Sequence, residues 1–294
     1  MTQTTYTNTL TGTKIWAVEG VVHSVLFYLD SSSIDNGVNY IQATTELHEY
    51  LKDSGLWNKL SEMHFGGRRL SELQVERQFT QSRDWEWTNR DCTCVELEEF
   101  LHSLDDRKRF DSVVTVVKGD IEHIESINDK PLDGIAFPTN SYLLNPHIAA
   151  AGAVFRRAGA ELEQFIGDQS FRERLANWAG WLPVGSAIST PGFEAGVEKL
   201  IHCVGPSVSE ANCYELLAET YENAHNCVVD EDLHCIGMVS ISTGNLGVPC
   251  IQGAQVAMRM LRKFVTTRNW EGNIAIICND ESVLQACSAE KAAY

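Results

Sequence analysis

The run Ile241-Ser242-Thr243-Gly244-Asn245-Leu246-Gly247-Val248-Pro249 has the residue types of a phosphate cradle made from backbone rather than basic side chains. A small-residue turn between a strand and a helix leaves amide N–H groups unpaired at the positive end of the helix dipole. They can hold an anion there without a lysine. Gly244 and Gly247 allow positive φ and close approach of a ligand. Metal chemistry has weaker support. Cys92-Thr93-Cys94 is a Cys-x-Cys, whose members alternate faces, and His102, His202, Cys203, His234 and Cys235 are scattered, with no Cys-x-x-Cys pair. Isolated buried thiols are the better account, so neither a metal centre nor a cofactor is expected. No Gly-x-Ser-x-Gly elbow anchors a serine triad.

The elements that must position the cradle are legible around it. Ile236 to Val239 reads as a buried strand before the loop. Ala254, Val256, Ala257, Met260, Leu261 and Phe264 recur at helical spacing after it. Short apolar runs at 112–117, 134–137, 200–204, 236–241 and 273–278 read as strands, and 149–165, 212–226 and 252–265 as helices. Strands separated by helices of this length predict an α/β sandwich on a mostly parallel sheet, with ligands at the carboxyl ends of the strands. The change of character near Arg107-Lys108-Arg109-Phe110 divides residues 1–110, a folded α+β extension, from residues 111–294. In the extension, 42–63 and 94–104 read as helices. Four of the seven tryptophans, Trp16, Trp57, Trp85 and Trp87, lie in it. Trp85 and Trp87 fit either a rim or docking surface or the aromatic core of a small subdomain.

Composition bounds the function. The 294 residues carry a formal charge of −17, which argues against nucleic acid as a direct partner. It does not exclude a small phosphorylated ligand, because a backbone cradle acts within a few ångströms while net charge is screened beyond about 8–10 Å. No apolar run approaches the roughly 20 residues of a membrane span. The polar start, the odd number of cysteines (nine) and the position of Cys203, Cys235 and Cys278 in apolar runs point to reduced thiols and a cytoplasmic setting.

The segment from about Asp111 to Ala286 resembles the macrodomain family, whose members bind ADP-ribose. The matching pieces stand in family order: Val117-Lys118-Gly119-Asp120-Ile121, Asn140-Ser141-Tyr142-Leu143-Leu144, Ala151-Gly152-Ala153-Val154-Phe155-Arg156-Arg157-Ala158-Gly159, Gly185 to Gly192 with Leu200 to Pro206, and Ile241 to Pro249. The resemblance implies a three-layer α/β/α fold with a mixed, mostly parallel sheet. It implies ADP-ribose, free or on a mono-ADP-ribosylated protein, as the partner. Its implied ligand contacts are Asp120, Ile121, Asn140, Ala151, Gly152, Val154, Ser242, Thr243, Gly244, Asn245, Leu246 and Asn279.

In that reading Asp120 accepts from the adenine amine, the competing assignment being a cap on a helix starting at Ile121. Asn140 holds the distal ribose or else is a turn residue. Hydrolysis of the ADP-ribosyl link is the further activity implied, with Asn140 and His147 as the catalytic candidates, and a non-catalytic reader is the alternative. The sequence departs from the family in four places. Asn145 to Ala150 replaces a glycine-rich run, which stiffens that loop. Ala151 stands where many hydrolases carry an aspartate, which leaves His147 as the nearby group that can serve as a base, the competing reading being that His147 is only a solvent-exposed loop histidine. Leu246 and Asn279 replace aromatic residues, which predicts looser ADP-ribose binding or a ligand with an extra group. Phe193 is either an aromatic wall of the site or core.

Overall fold

A computed structural model of the chain describes residues 20–30, 33–65, 94–175 and 180–293. The chain divides into two compact units, Met1–Arg107 and Lys108–Tyr294.

The described part of the first unit is helical: α1 (Val21–Tyr28), α2 (Ile34–Ala43), a 3-10 helix (Thr45–Lys52), α3 (Ser54–Phe65) and the start of α4 (Val95–Val113). Their apolar faces meet around Trp57, which is fully buried against Phe100 at 5.6 Å between ring centroids. The single helix expected over 42–63 is interrupted at Asp53. Its carboxylate accepts the Leu56 N–H at 3.0 Å and starts α3 afresh. No strand occurs among the described residues of this unit, so the strand part of the α+β expectation has no counterpart there. Trp16, Trp85, Trp87 and Cys92 lie outside the described residues.

The second unit is an α/β sandwich. Its strands β1 (Val114–Lys118), β4 (Gly134–Pro138), β5 (Ala187–Pro191), β6 (Lys199–Cys203), β7 (Cys235–Val239) and β8 (Asn273–Cys278) form one sheet in the order β1-β8-β7-β4-β6-β5. All pairs are parallel except β5 with β6. A hairpin of β2 (Ser126–Ile127) and β3 (Lys130–Pro131) stands apart. β8 is buried over its whole length and β4 and β7 over all but their last residue, which is why they read as unbroken apolar runs.

Side chains alternate between two cores. Ala136, Ile274 and Ile276 face α8 (Cys213–Asp230), α9 (Cys250–Thr267) and α10 (Glu281–Ala293). Ile135, Phe137 and Ile277 face α5 (Ala149–Ala158), α6 (Ala160–Gly167) and α7 (Gln169–Arg174). The helix expected over 149–165 is two, because Gly159 at φ 77° ends the first. The sequence pattern also missed the β2–β3 hairpin, β5, α7 and α10. Strand β5 lies at the sheet edge, is buried only at alternate residues and ends in Pro191, as an edge strand can; α10 buries only Cys287 and so lacks an apolar stripe. Phe193 is partly buried and packs against the core on Phe165 at 5.5 Å, away from the cleft lining.

Candidate functional site

Because β1, β4, β6, β7 and β8 run parallel, the loops after all five leave the sheet at one end. They enclose a cleft of about 850 Å³. Of the expected ligand residues, Asp120, Ile121, Asn140, Ala151, Ser242, Thr243, Gly244, Asn245, Leu246 and Asn279 line it. Three expected residues do not. Val154 is fully buried in the core because it points from α5 into the sheet. Gly152 lies beneath the His147 backbone. His147 is exposed and is not among the cleft-lining residues, although its neighbours Pro146 and Ile148 are; its N–H donates to Asn145 Oδ1 at 2.8 Å.

Two helices begin at the cleft without side-chain caps. Ile148 precedes α5 and Pro249 precedes α9; neither has a group that can accept from the first turn. Ala149, Ala150, Ala151 and Cys250, at these two helix starts, all line the cleft. Between them runs the Ser240–Val248 loop, tied internally by Gly247 N–H to Gly244 O at 2.9 Å and Val248 N–H to Ser242 O at 3.1 Å. The buried Tyr221 hydroxyl accepts the Ile241 N–H at 3.1 Å and sets the loop's start. Ser242 adopts φ 65°, unusual for a residue with a Cβ, over Gly205. A Cβ on Gly205 would stand 2.3 Å from Ser242 Oγ, so the approach requires glycine.

The polar groups of the cleft are arranged for an anion held by backbone. Its charged lining residues are three carboxylates, Asp120, Glu210 and Asp280, and one cation, Arg156. Ser242 Oγ and Thr139 Oγ1 line it too, buried and without a hydrogen-bond partner. Unpaired buried hydroxyls are rare in native folds and point to a ligand or water. Thr139, Glu210 and Arg156 were missed from sequence: Thr139 is marked only by its place after β4, and Arg156 by helical spacing from Ala149.

Asn140 lines the cleft and is also a turn residue of its loop. Its Oδ1 accepts the N–H groups of Tyr142 and Leu144, each at 3.1 Å, and its Nδ2 donates to Leu144 O at 2.7 Å. The amide thus shapes its own loop and keeps a single N–H for a ligand. That loop lacks glycine yet retains left-handed backbone at Leu143 (φ 58°), His147 (φ 57°) and Ala149 (φ 52°). At the other end, Asp120 accepts the Glu122 N–H at 3.0 Å within a turn and starts no helix. Arg157 braces this turn through Ile121 O at 2.8 Å, Ile124 O at 2.6 Å and Ala195 O at 2.7 Å. Asp120, Glu122 and His123 bring ligand atoms within 4.8 Å of one another, but both Glu122 oxygens are taken by Arg156. That bond holds the Glu122 carboxyl below its ordinary range.

Residues 136–257 match the Macro domain family profile. An O-acetyl-ADP-ribose deacetylase of Citrobacter rodentium is 29% identical over 172 residues, covering 58% of this chain and 90% of the relative. A macro domain-containing protein of Listeria monocytogenes is 30% identical over 176 residues, covering 58% of this chain and 93% of its own length. Among solved structures, the Oceanobacillus iheyensis macrodomain with ADP matches with a TM-score of 0.53 at 29% identity, over 60% of this chain and 87% of that one. The fold, the order of the loops around the cleft and these relatives agree: the chain belongs to the macrodomain family.

Proposed function

We propose that the chain binds ADP-ribose, free or carried by a mono-ADP-ribosylated protein, in the cleft at the strand ends. The observation that carries this reading is the convergence of two uncapped helix starts and the Ser242–Asn245 backbone on one cavity with hardly any basic side chains. A diphosphate satisfies those N–H groups and the buried Ser242 and Thr139 hydroxyls together. Asp120 at the far end accepts from the adenine amine. Relatives named for O-acetyl-ADP-ribose and a macrodomain solved with ADP support the ligand class. Calorimetric titration with ADP-ribose tests it; absence of heat at millimolar ligand refutes it.

Binding without turnover is the reading that the geometry favours. Ala151 carries no acid, His147 lies outside the cleft lining, and the Asn140 amide is committed to its loop. The deacetylase names of the relatives favour the second reading, hydrolysis, and select its assay. Release of acetate from O-acetyl-ADP-ribose, or of ADP-ribose from mono-ADP-ribosylated protein, would establish an enzyme; no release despite binding leaves a reader.

A further inference from the structure

One end of the cleft, after β1 and β8, has the chemistry of a flat, amine-bearing ring site. Asp120 supplies an acceptor, Ile121, Ile277 and Val283 an apolar bed, while Asn279 supplies no aromatic face. Arg156 lines the same cleft from α5. Its Nε donates to Glu122 Oε1 at 3.0 Å and its Nη2 to Oε2, a two-point fork that grips the guanidinium by its edge. A planar group held by its edge has a fixed plane and keeps its faces for stacking. The side chain is 54% exposed, and the Asp120 carboxylate acts on it electrostatically. A guanidinium stacks on heteroaromatic rings through its plane; an ammonium, a hydrated point charge, does not.

We infer that Arg156, held flat by Glu122, is the stacking face for the purine ring in this cleft. The inference rests on the ADP-ribose reading and assigns a specificity residue to it. The fork explains why an arginine serves where no ring is present: Glu122 neutralises much of its charge, so its contribution is the plane. The anionic part of the ligand remains with the backbone N–H groups.

The test is calorimetric titration of the full chain with ADP-ribose, for the wild type and for Arg156→Ala, Arg156→Lys and Arg156→Trp, each checked for an unchanged melting temperature. Arg156→Ala and Arg156→Lys should weaken binding alike, by about 3- to 10-fold. Arg156→Trp, which restores a flat face without charge, should stay within about twofold of wild type. Wild-type affinity in Arg156→Lys, or an unchanged Arg156→Ala, overturns the inference while leaving the ADP-ribose reading intact. No binding by the wild type overturns that reading, and the inference with it.

Discussion

Gly152→Ala sets two effects of opposite sign against each other at the cleft. Gly152 lies inside α5, where alanine is favoured over glycine by about 1 kcal/mol. Helix propensity alone therefore predicts stabilisation. A Cβ at this position, however, would stand 2.6 Å from the His147 carbonyl carbon and 3.1 Å from its oxygen. Reaching ordinary contact requires the loop backbone to retreat by roughly 0.8 Å in a close-packed setting. The neighbours that must move, His147 and Ala149, already hold left-handed backbone, so the loop has little room to adjust. Overpacking of this kind costs about 1–3 kcal/mol, which exceeds the helix gain and leaves a net loss of about 1 kcal/mol. The melting temperature should fall by about 2–4 °C, measured by thermal denaturation. ADP-ribose affinity should fall about tenfold as the α5 start shifts from the diphosphate, measured by calorimetry. A higher melting temperature with unchanged affinity would falsify the argument that the loop backbone is held at Gly152.

Acid should destabilise the fold through two histidines. His202 and His225 are fully buried, and burial lowers each from its ordinary 6.5 to about 3. The unfolded chain binds protons that the folded one rejects, so stability present above pH 6.5 is lost as pH falls toward 3. Between pH 7 and 5.5 the loss is about 1.2 kcal/mol per histidine, seen in urea unfolding, and His225→Phe should remove its share. An equal pH slope in that variant would contradict this account. Ala149→Gly should raise stability by about 0.5–1 kcal/mol by relieving the left-handed φ, net of glycine's entropy. Thermal denaturation checks the sign. Arg157→Lys cannot span the carbonyls of Ile121, Ile124 and Ala195 at once, and should cost about 2 kcal/mol and weaken ADP-ribose binding through the Asp120 turn. Denaturant unfolding and titration read the two effects, and an unchanged variant would remove Arg157 from the role of brace.

The sheet was legible because its strands are buried on both faces: β8 falls on the expected residues 273–278, and β4, β6 and β7 lie within one or two residues of expectation at each end. Strand β5 was not, since an edge strand that alternates with Ser and Thr and ends in proline has little apolar signal. The Ser242 cradle was legible from its small residues between a strand and a helix. The Asn140 loop was legible in place but not in conformation. The sequence suggested stiffness from its missing glycines. The structure instead puts Leu143, His147 and Ala149 into glycine-like backbone and binds the Asn140 amide to that shape. Side-chain direction was the other blind spot. Val154 and Arg156, two residues apart on α5, face the core and the cleft respectively, which only the helix's placement on the sheet decides.

A crystal structure of the chain soaked with ADP-ribose tests the central claim most directly. The diphosphate should lie between the starts of α5 and α9, within hydrogen-bond distance of backbone N–H groups from Ala149 to Ala151 and from Ser242 to Asn245. Ser242 Oγ or Thr139 Oγ1 should gain a partner. ADP-ribose bound elsewhere, or a diphosphate held by basic side chains with both helix starts left to solvent, would contradict it.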